Sequence, residues 1–86
     1  MSAEILIIDD NPDIRNIIKD LISEHGYKTR VAANYNQALK EIDKKLPDVA
    51  IIDVKLDKGD NDGIELLSHI KKKDKDVPVI IISGHA

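Results

Sequence analysis

Acidic side chains stand at the ends of two apolar runs in this sequence. Asp9 and Asp10 directly follow Glu4–Ile8, and Asp53 lies near the end of Val49–Val54. In open α/β sheets, ligands bind at the carboxyl ends of the strands, where the strand order reverses. Carboxylates that converge there repel one another, and a hard divalent cation such as Mg²⁺ relieves the repulsion. The pattern therefore predicts a Mg²⁺ site, at which one carboxylate can also be the nucleophile that forms an aspartyl-phosphate.

The same residues also have ordinary structural interpretations. An acidic pair after a strand commonly forms a turn or caps a helix. Asp53 is different, because a lone carboxylate within an apolar strand needs a reason to be buried. Ser83 follows a fourth apolar run, where Ser-Gly on its own is common loop sequence. The functional interpretation rests on the combination, since a strand order of 2-1-3-4 would bring Asp9, Asp10, Asp53 and Ser83 together.

The hydrophobic pattern predicts four strands that alternate with three helices. The predicted strands are Glu4–Ile8, Tyr27–Ala32, Val49–Val54 and Val77–Ile82. The predicted helices run from Pro12 to His25, from a cap at Asn34 to Leu46-Pro47, and from a cap at Asp62 through Ile64, Leu67 and Ile70. This alternation specifies right-handed βαβ units, so we expect an α/β fold with helices on both faces of a parallel sheet.

Composition sets limits on the size and class of the protein. The chain has 86 residues, of which 42% are hydrophobic and 34% charged, which predicts one small domain. Its net charge of −3 comes from interspersed acidic and basic residues, so we expect no binding to nucleic acid or anionic lipid. No apolar stretch approaches the roughly 20 residues of a membrane span, and we expect a cytoplasmic protein.

Four segments resemble, in order, the signature of the response-regulator receiver family. These segments are Ile5–Asn11, Val49–Asp53, Asp62–Leu66 and Pro78–Gly84. The resemblance implies a flavodoxin-like or CheY-like sheet and a phosphoacceptor module of a two-component phosphorelay. It also implies phosphorylation by a sensor histidine kinase and control of an attached transcription-regulatory output. Within the family, the sequence is similar to the nitrogen-regulatory response regulators.

The resemblance also implies roles for individual residues. Asp53 would be the phosphorylation site, Asp9 and Asp10 would hold Mg²⁺ together with Asp53, the backbone carbonyl of Lys55 would be a further ligand, and Ser83 would be the switch hydroxyl. The segment Lys55–Asn61 departs from the family pattern, because it is longer than usual and lacks the customary Met-Pro.

A complete receiver continues into a further helix, a fifth strand with a phosphoryl-contacting Lys, and a last helix. We therefore interpret residues 1–86 as a receiver domain of (βα)₃β form that is truncated at its carboxyl end. Such a fragment would leave Val79–Ile82 as a sheet edge, and we expect self-association through this fourth strand.

Three rival interpretations come from other classes of protein. A phosphatase of the haloacid-dehalogenase type needs two Asp separated by one residue, but Asp53 precedes Val54 and Lys55, and Asp9 adjoins Asp10. A flavodoxin-like nucleotide-binding module needs a Gly-rich phosphate loop after the first strand, and none is present. A phosphorylation-incompetent interaction unit stays open as the third alternative. We expect that the protein is not an enzyme.

Overall fold

The computed structural model describes residues 3–53 and 62–82, which form strands and helices in strict alternation. The elements are β1 (Glu4–Ile8), α1 (Pro12–Glu24), β2 (Lys28–Ala32), α2 (Tyr35–Lys44), β3 (Val49–Asp53), α3 (Asp62–Lys73) and β4 (Val79–Ile82). The strands form one sheet in the order β2-β1-β3-β4, and each neighbouring pair is parallel. The predicted α/β class and the predicted order 2-1-3-4 are both confirmed.

The main core lies between one face of the sheet and the helices α2 and α3. Leu6 of β1, Ile52 of β3 and Leu66 of α3 are fully inaccessible to solvent there. The whole core cluster consists of Leu6, Ile8, Ala32, Ala38, Ile42, Ala50, Ile52, Leu66, Ile70 and Val77. Because β1 and β3 are the two central strands, helices and neighbouring strands cover them most completely, which explains their continuous apolar sequences.

Local signals in the sequence account for the helix ends. The Asn34 side chain accepts a hydrogen bond from the Gln37 N–H at 2.8 Å and caps α2, as predicted. The Gln37 side chain accepts a hydrogen bond from the N–H of Ala33 at 2.8 Å. In a standard capping box this second bond would come from the N–H of the cap residue itself, Asn34. Gly26 follows the end of α1 with a φ of 87°, a conformation that glycine adopts without a Cβ penalty.

Two of the helices differ in how they are buried. Helix α1 has no buried residue, and the side chains of Ile17 and Leu21 are 66% and 56% exposed. In α3, Ile64, one of the apolar residues that indicated this helix in the sequence, is 48% exposed, while Leu66 is buried. The buried positions of α3 are spaced so that its inner face passes through Leu66 and Ile70. Asp62, predicted as a cap, is already within the helix.

The predicted fourth strand is also shorter in the structure. It begins at Val79, after Pro78, whereas the apolar run begins at Val77. Proline has no N–H to donate to a strand ladder, which favours a start beyond it. In the described parts of the chain, no helix combines the length and apolarity needed to cross a membrane.

Candidate functional site

The carboxyl ends of β1 and β3 bring three predicted site residues together. Ile8 pairs with Ile52 in the parallel register, so Asp9 and Asp53 come next to each other where the two strands end. Asp9, Asp10 and Asp53 each offer a carboxylate oxygen, and these oxygens all lie within 4.8 Å of one another. The predicted acidic cluster is therefore present in the fold.

The three carboxylates differ in their exposure to solvent. Asp9 and Asp53 are only 5% and 7% exposed, whereas Asp10 is exposed at the mouth of the site. Burial disfavours carboxylate charge, and close like charges disfavour it further. A cation at this position would offset both costs, while the exposed Asp10 side leaves access for water and for a phosphate group.

Hydrogen bonds from three directions fix Asp9. Its N–H donates to the carbonyl of Ala32 on β2 at 3.2 Å, which extends the β1–β2 pairing by one residue. Its Oδ1 accepts from the Asn11 N–H at 2.9 Å. Its carbonyl accepts from Nη1 of Arg15 at 2.9 Å. Both the backbone and the carboxylate of Asp9 are therefore held in place.

The amino end of α1 lies immediately beyond this cluster. The Asn11 side chain accepts from the N–H groups of Asp13 at 2.9 Å and Ile14 at 3.2 Å, which caps the helix. The connection between β1 and α1 is therefore only the segment from Asp9 to Asn11, anchored at both ends. Because the connection is short and held at both ends, the backbone of Asp10 has little freedom to move.

A second polar contact joins the amino ends of α2 and α3. Desolvation, followed by the charge of Glu65 and a hydrogen bond to it, raises the pKa of Tyr35 above its ordinary value. The nearby charge of Asp62 acts in the same direction. Because helices that follow parallel strands begin at the carboxyl edge of the sheet, this contact lies at the same end of the fold as the acidic cluster.

Oxygen ligands from carboxylates suit Mg²⁺, which usually takes one or two carboxylates and completes its shell with water and phosphate. The arrangement of Asp9, Asp10 and Asp53 fits that requirement. Two other predicted site groups, the backbone carbonyl of Lys55 and the hydroxyl of Ser83, lie outside the described residues, as does the segment Lys55–Asn61. Their roles stay predictions.

Comparison with known proteins identifies the family. The sequence model of the family described as response regulator receiver domain matches residues 5–86. The chain belongs to the response-regulator receiver family. Phosphorylation of an aspartate with Mg²⁺ is the general function of these domains, which bind Mg²⁺ in their acidic pocket and receive the phosphoryl group from sensor histidine kinases. The family resemblance in the sequence is thus confirmed.

The similarity to nitrogen-regulatory response regulators is also confirmed. The chain is 40% identical to the nitrogen assimilation regulatory protein NtrX of Azorhizobium caulinodans over 85 residues, which is 99% of this chain and 19% of that protein. The crystal structure of NtrX from Brucella abortus superposes with a TM-score of 0.88 at 38% identity, covering 100% of this chain and 19% of that one. The chain therefore spans about a fifth of the length of these NtrX proteins.

A second similar structure was solved as a complex with ligands. The response regulator TrrA of Thermotoga maritima, solved in complex with Mg²⁺ and BeF, has a TM-score of 0.87 and 32% identity. The alignment covers 100% of this chain and 72% of that chain.

One residue of the site could not be found from the sequence pattern. Arg15 lies within the first turns of α1 and reaches back to the carbonyl of Asp9. A basic residue on an amphipathic helix normally indicates a solvated position. The contact becomes visible only in the fold, where Arg15 and Asp9 lie on either side of the short β1–α1 connection.

Proposed function

We propose that Asp53 is the phosphoacceptor of this receiver domain, with Mg²⁺ held by Asp9, Asp10 and Asp53. The supporting observation is the convergence of the three carboxylates within 4.8 Å at the carboxyl ends of β1 and β3. Asp53 is the one member that a strand presents, and it is 7% exposed. A side chain fixed in a strand holds its reacting oxygen more precisely than one in a loop.

The proposed reaction is transfer of a phosphoryl group to a carboxylate oxygen of Asp53. The carboxylate attacks phosphorus, the new O–P bond forms, and the bond from phosphorus to the donor breaks, with the electron pair leaving on the donor. Bound Mg²⁺ supplies neutralisation of the charge on the transferring group. Asp9 and Asp10 orient the site, and the burial of Asp53 limits the approach of water to the reacting carboxylate.

Intact mass measurement after incubation with acetyl phosphate and Mg²⁺ tests this assignment. We expect a single phosphoryl adduct on the unmodified chain and none on Asp53→Asn. Asp48→Asn is the matched control. Asp48 directly precedes β3, at the end of the strand away from Asp53, and its Oδ2 accepts a hydrogen bond from the N–H of Glu4. An adduct that survives in Asp53→Asn would show that another residue is the acceptor. The absence of any adduct would favour the phosphorylation-incompetent interaction unit.

Magnesium binding is tested separately by titration and NMR. The backbone amides of Asp9, Asp10 and Asp53 should shift progressively, with weak affinity because Mg²⁺ retains much of its hydration. Asp10→Asn should weaken the response, since it removes the exposed carboxylate. A spectrum that stays unchanged at high millimolar Mg²⁺ would contradict the metal assignment.

We propose a sensor histidine kinase as phosphodonor, a transcription-regulatory output in the parent protein and a cytoplasmic location, with no nucleic-acid or membrane binding by residues 1–86. The carbonyl of Lys55 as a ligand and Ser83 as switch hydroxyl belong to the same proposal. We propose no turnover of phosphomonoesters, which a phosphatase assay checks.

We also propose self-association through β4. In the described sheet, β4 is an edge strand with β3 as its one neighbour, and Ile80 on it is 53% exposed. Ile17 and Leu21 of α1 add further exposed apolar surface. An edge strand with unpaired backbone groups and apolar side chains is a template for pairing with a second copy of the chain.

Sedimentation velocity at micromolar concentration distinguishes a dimer from a monomer. Ile80→Lys should shift the chain to a monomer, because a charge on an edge strand opposes pairing. Ile64→Lys is the control, since Ile64 is exposed to a similar degree on α3. A well-folded monomer of the unmodified chain would contradict this part of the proposal.

A further inference from the structure

The acidic cluster has a cationic neighbour that forms no ion pair with it. Arg15 is half-buried on α1, and its Nη1 donates to the backbone carbonyl of Asp9 at 2.9 Å. Within residues 3–53 and 62–82, Arg15 makes no salt bridge to a carboxylate. Its guanidinium therefore contacts the backbone that carries Asp9 and Asp10 and not their carboxylates.

The position of the Asp9 carbonyl also affects the backbone of Asp10. The peptide bond is planar, so the carbonyl of Asp9 and the N–H and Cα of Asp10 move as one unit. The Asp10 side chain makes no hydrogen bond with the described residues, and its direction therefore depends on this peptide plane. A hydrogen bond from a guanidinium is among the stronger ones available to a carbonyl oxygen.

The other two bonds of Asp9 do not fix this peptide plane. The bond to the carbonyl of Ala32 uses the Asp9 N–H, which belongs to the preceding peptide, and the bond from Asn11 is to the carboxylate. Among the residues that the structure describes, Arg15 is the one that bonds directly to the Asp9–Asp10 peptide. We propose that Arg15 is a positioning residue of the metal site, which orients the Asp9–Asp10 peptide and so places the Asp10 carboxylate for Mg²⁺. The inference rests on the proposed function.

The test compares three variants by Mg²⁺ titration and by amide exchange without metal. Arg15→Met should weaken Mg²⁺ binding by about tenfold, the lower end of the usual effect of residues that support metal ligands. Arg15→Lys should recover part of the affinity, because its ammonium can still donate to the carbonyl. Lys19→Met is the control, since Lys19 is one turn further along α1, exposed, and carries the same charge. This control should bind Mg²⁺ as the unmodified chain does.

Hydrogen exchange gives a readout that does not depend on metal. The Asn11 N–H bonds to Oδ1 of Asp9, and it should exchange several-fold faster in Arg15→Met, while the amides of the core strand β3 stay protected. General destabilisation would accelerate both sets, and that result would overturn the inference. Unchanged Mg²⁺ affinity in Arg15→Met, or an equal loss in Lys19→Met, would overturn it while the proposed function stands. No Mg²⁺ binding by the unmodified chain would overturn both together.

Discussion

Nε2 of His69 on α3 lies 3.0 Å from Oδ1 of Asp43 on α2, and Nζ of Lys73 contacts the same oxygen at 3.2 Å. These contacts connect the two helices on one face of the sheet. The hydrogen bond from His69, and then the one from Lys73, lowers the pKa of Asp43 below its ordinary value of 3.8. The charged form of Asp43 is therefore favoured in the folded state.

The first prediction concerns acid stability. A carboxyl group with a lowered pKa in the folded state contributes stability above its unfolded pKa and loses it as the pH falls through the folded pKa. Asp43→Asn should therefore unfold at a slightly lower urea concentration than the unmodified chain at neutral pH, with a difference that disappears well below pH 3.8. The effect should be small, because the Asp43 side chain is 57% exposed.

Urea unfolding across the acidic range measures this difference. Asp20→Asn is the control, since Asp20 is exposed on α1 and forms no ion pair with a described residue. It should not reproduce the pH-dependent gap. A gap that widens on acidification would contradict the sign of the linkage.

The second prediction compares the same substitution at a buried and an exposed helical position. Leu66 is completely buried in α3, whereas Leu21 is 56% exposed on α1. Leu66→Ala should reduce the free energy of unfolding by about 3 kcal/mol, because it removes buried methyl groups and leaves a cavity. Leu21→Ala should change it by less than about 1 kcal/mol, since most of that side chain already contacts water. Similar losses at both sites would mean that α1 is covered in solution.

The third prediction concerns the cap that joins the acidic cluster to α1. Asn11→Ala removes the acceptor for the N–H groups of Asp13 and Ile14 and should cost about 1 kcal/mol. Asn11→Asp should retain the stability, because Asp is an equally good cap. Thermal unfolding of the two variants measures the difference. If Asn11→Asp were as unstable as Asn11→Ala, the side-chain bond would not be the source of the effect.

Much of the architecture could be predicted because it depends on local sequence. The buried strands β1 and β3 are short continuous apolar runs, and the cap at Asn34 is visible in the residue types. The approach of Asp9 to Asp53 follows from strand order alone, since parallel strands end at one edge of the sheet. No long-range side-chain contact was needed for these inferences.

Other features depend on how the elements are oriented in the fold. The rotation of α3 about its axis decides that Leu66 rather than Ile64 is buried, and both are equally apolar in the sequence. His69 and Asp43 are 26 residues apart, with no periodic pattern that links them. Such contacts depend on tertiary packing, which hydrophobic periodicity does not encode.

The ion-pair cluster of Arg30, Glu4 and Glu41, near the amino end of the sheet, also depends on tertiary packing. Arg30 on β2 contacts Glu4 of β1 at 3.2 Å and Glu41 of α2 at 2.9 Å. Its guanidinium also donates to the carbonyls of Glu41 at 3.0 Å and Lys45 at 2.6 Å, so it binds the last turn of α2. Nε of Arg30 and Oε1 of Glu4 are buried and their contact lacks hydrogen-bond geometry, so these two atoms attract each other as charges only.

The last prediction follows from this arrangement. Side chains of Arg30, Glu4 and Glu41 are only 17%, 20% and 25% exposed. Removing the cation would leave Glu4 without an ion-pair partner among the described residues, and Glu41 with only the exposed Lys44 at 3.7 Å. Arg30→Met should cost about 2 kcal/mol of unfolding free energy, the usual size for hydrogen bonds to charged groups. Arg30→Lys should recover less than half, because one ammonium cannot reach both carboxylates and both carbonyls.

Urea unfolding of these variants, with Lys28→Met as the control, measures the role of the Arg30 guanidinium. Lys28 is exposed on the same strand, and its side chain forms no ion pair with the described residues. Lys28→Met should therefore leave the stability almost unchanged. A loss in Lys28→Met equal to that in Arg30→Met would indicate that β2 responds to net charge, and a full recovery in Arg30→Lys would show that the planar guanidinium is not required.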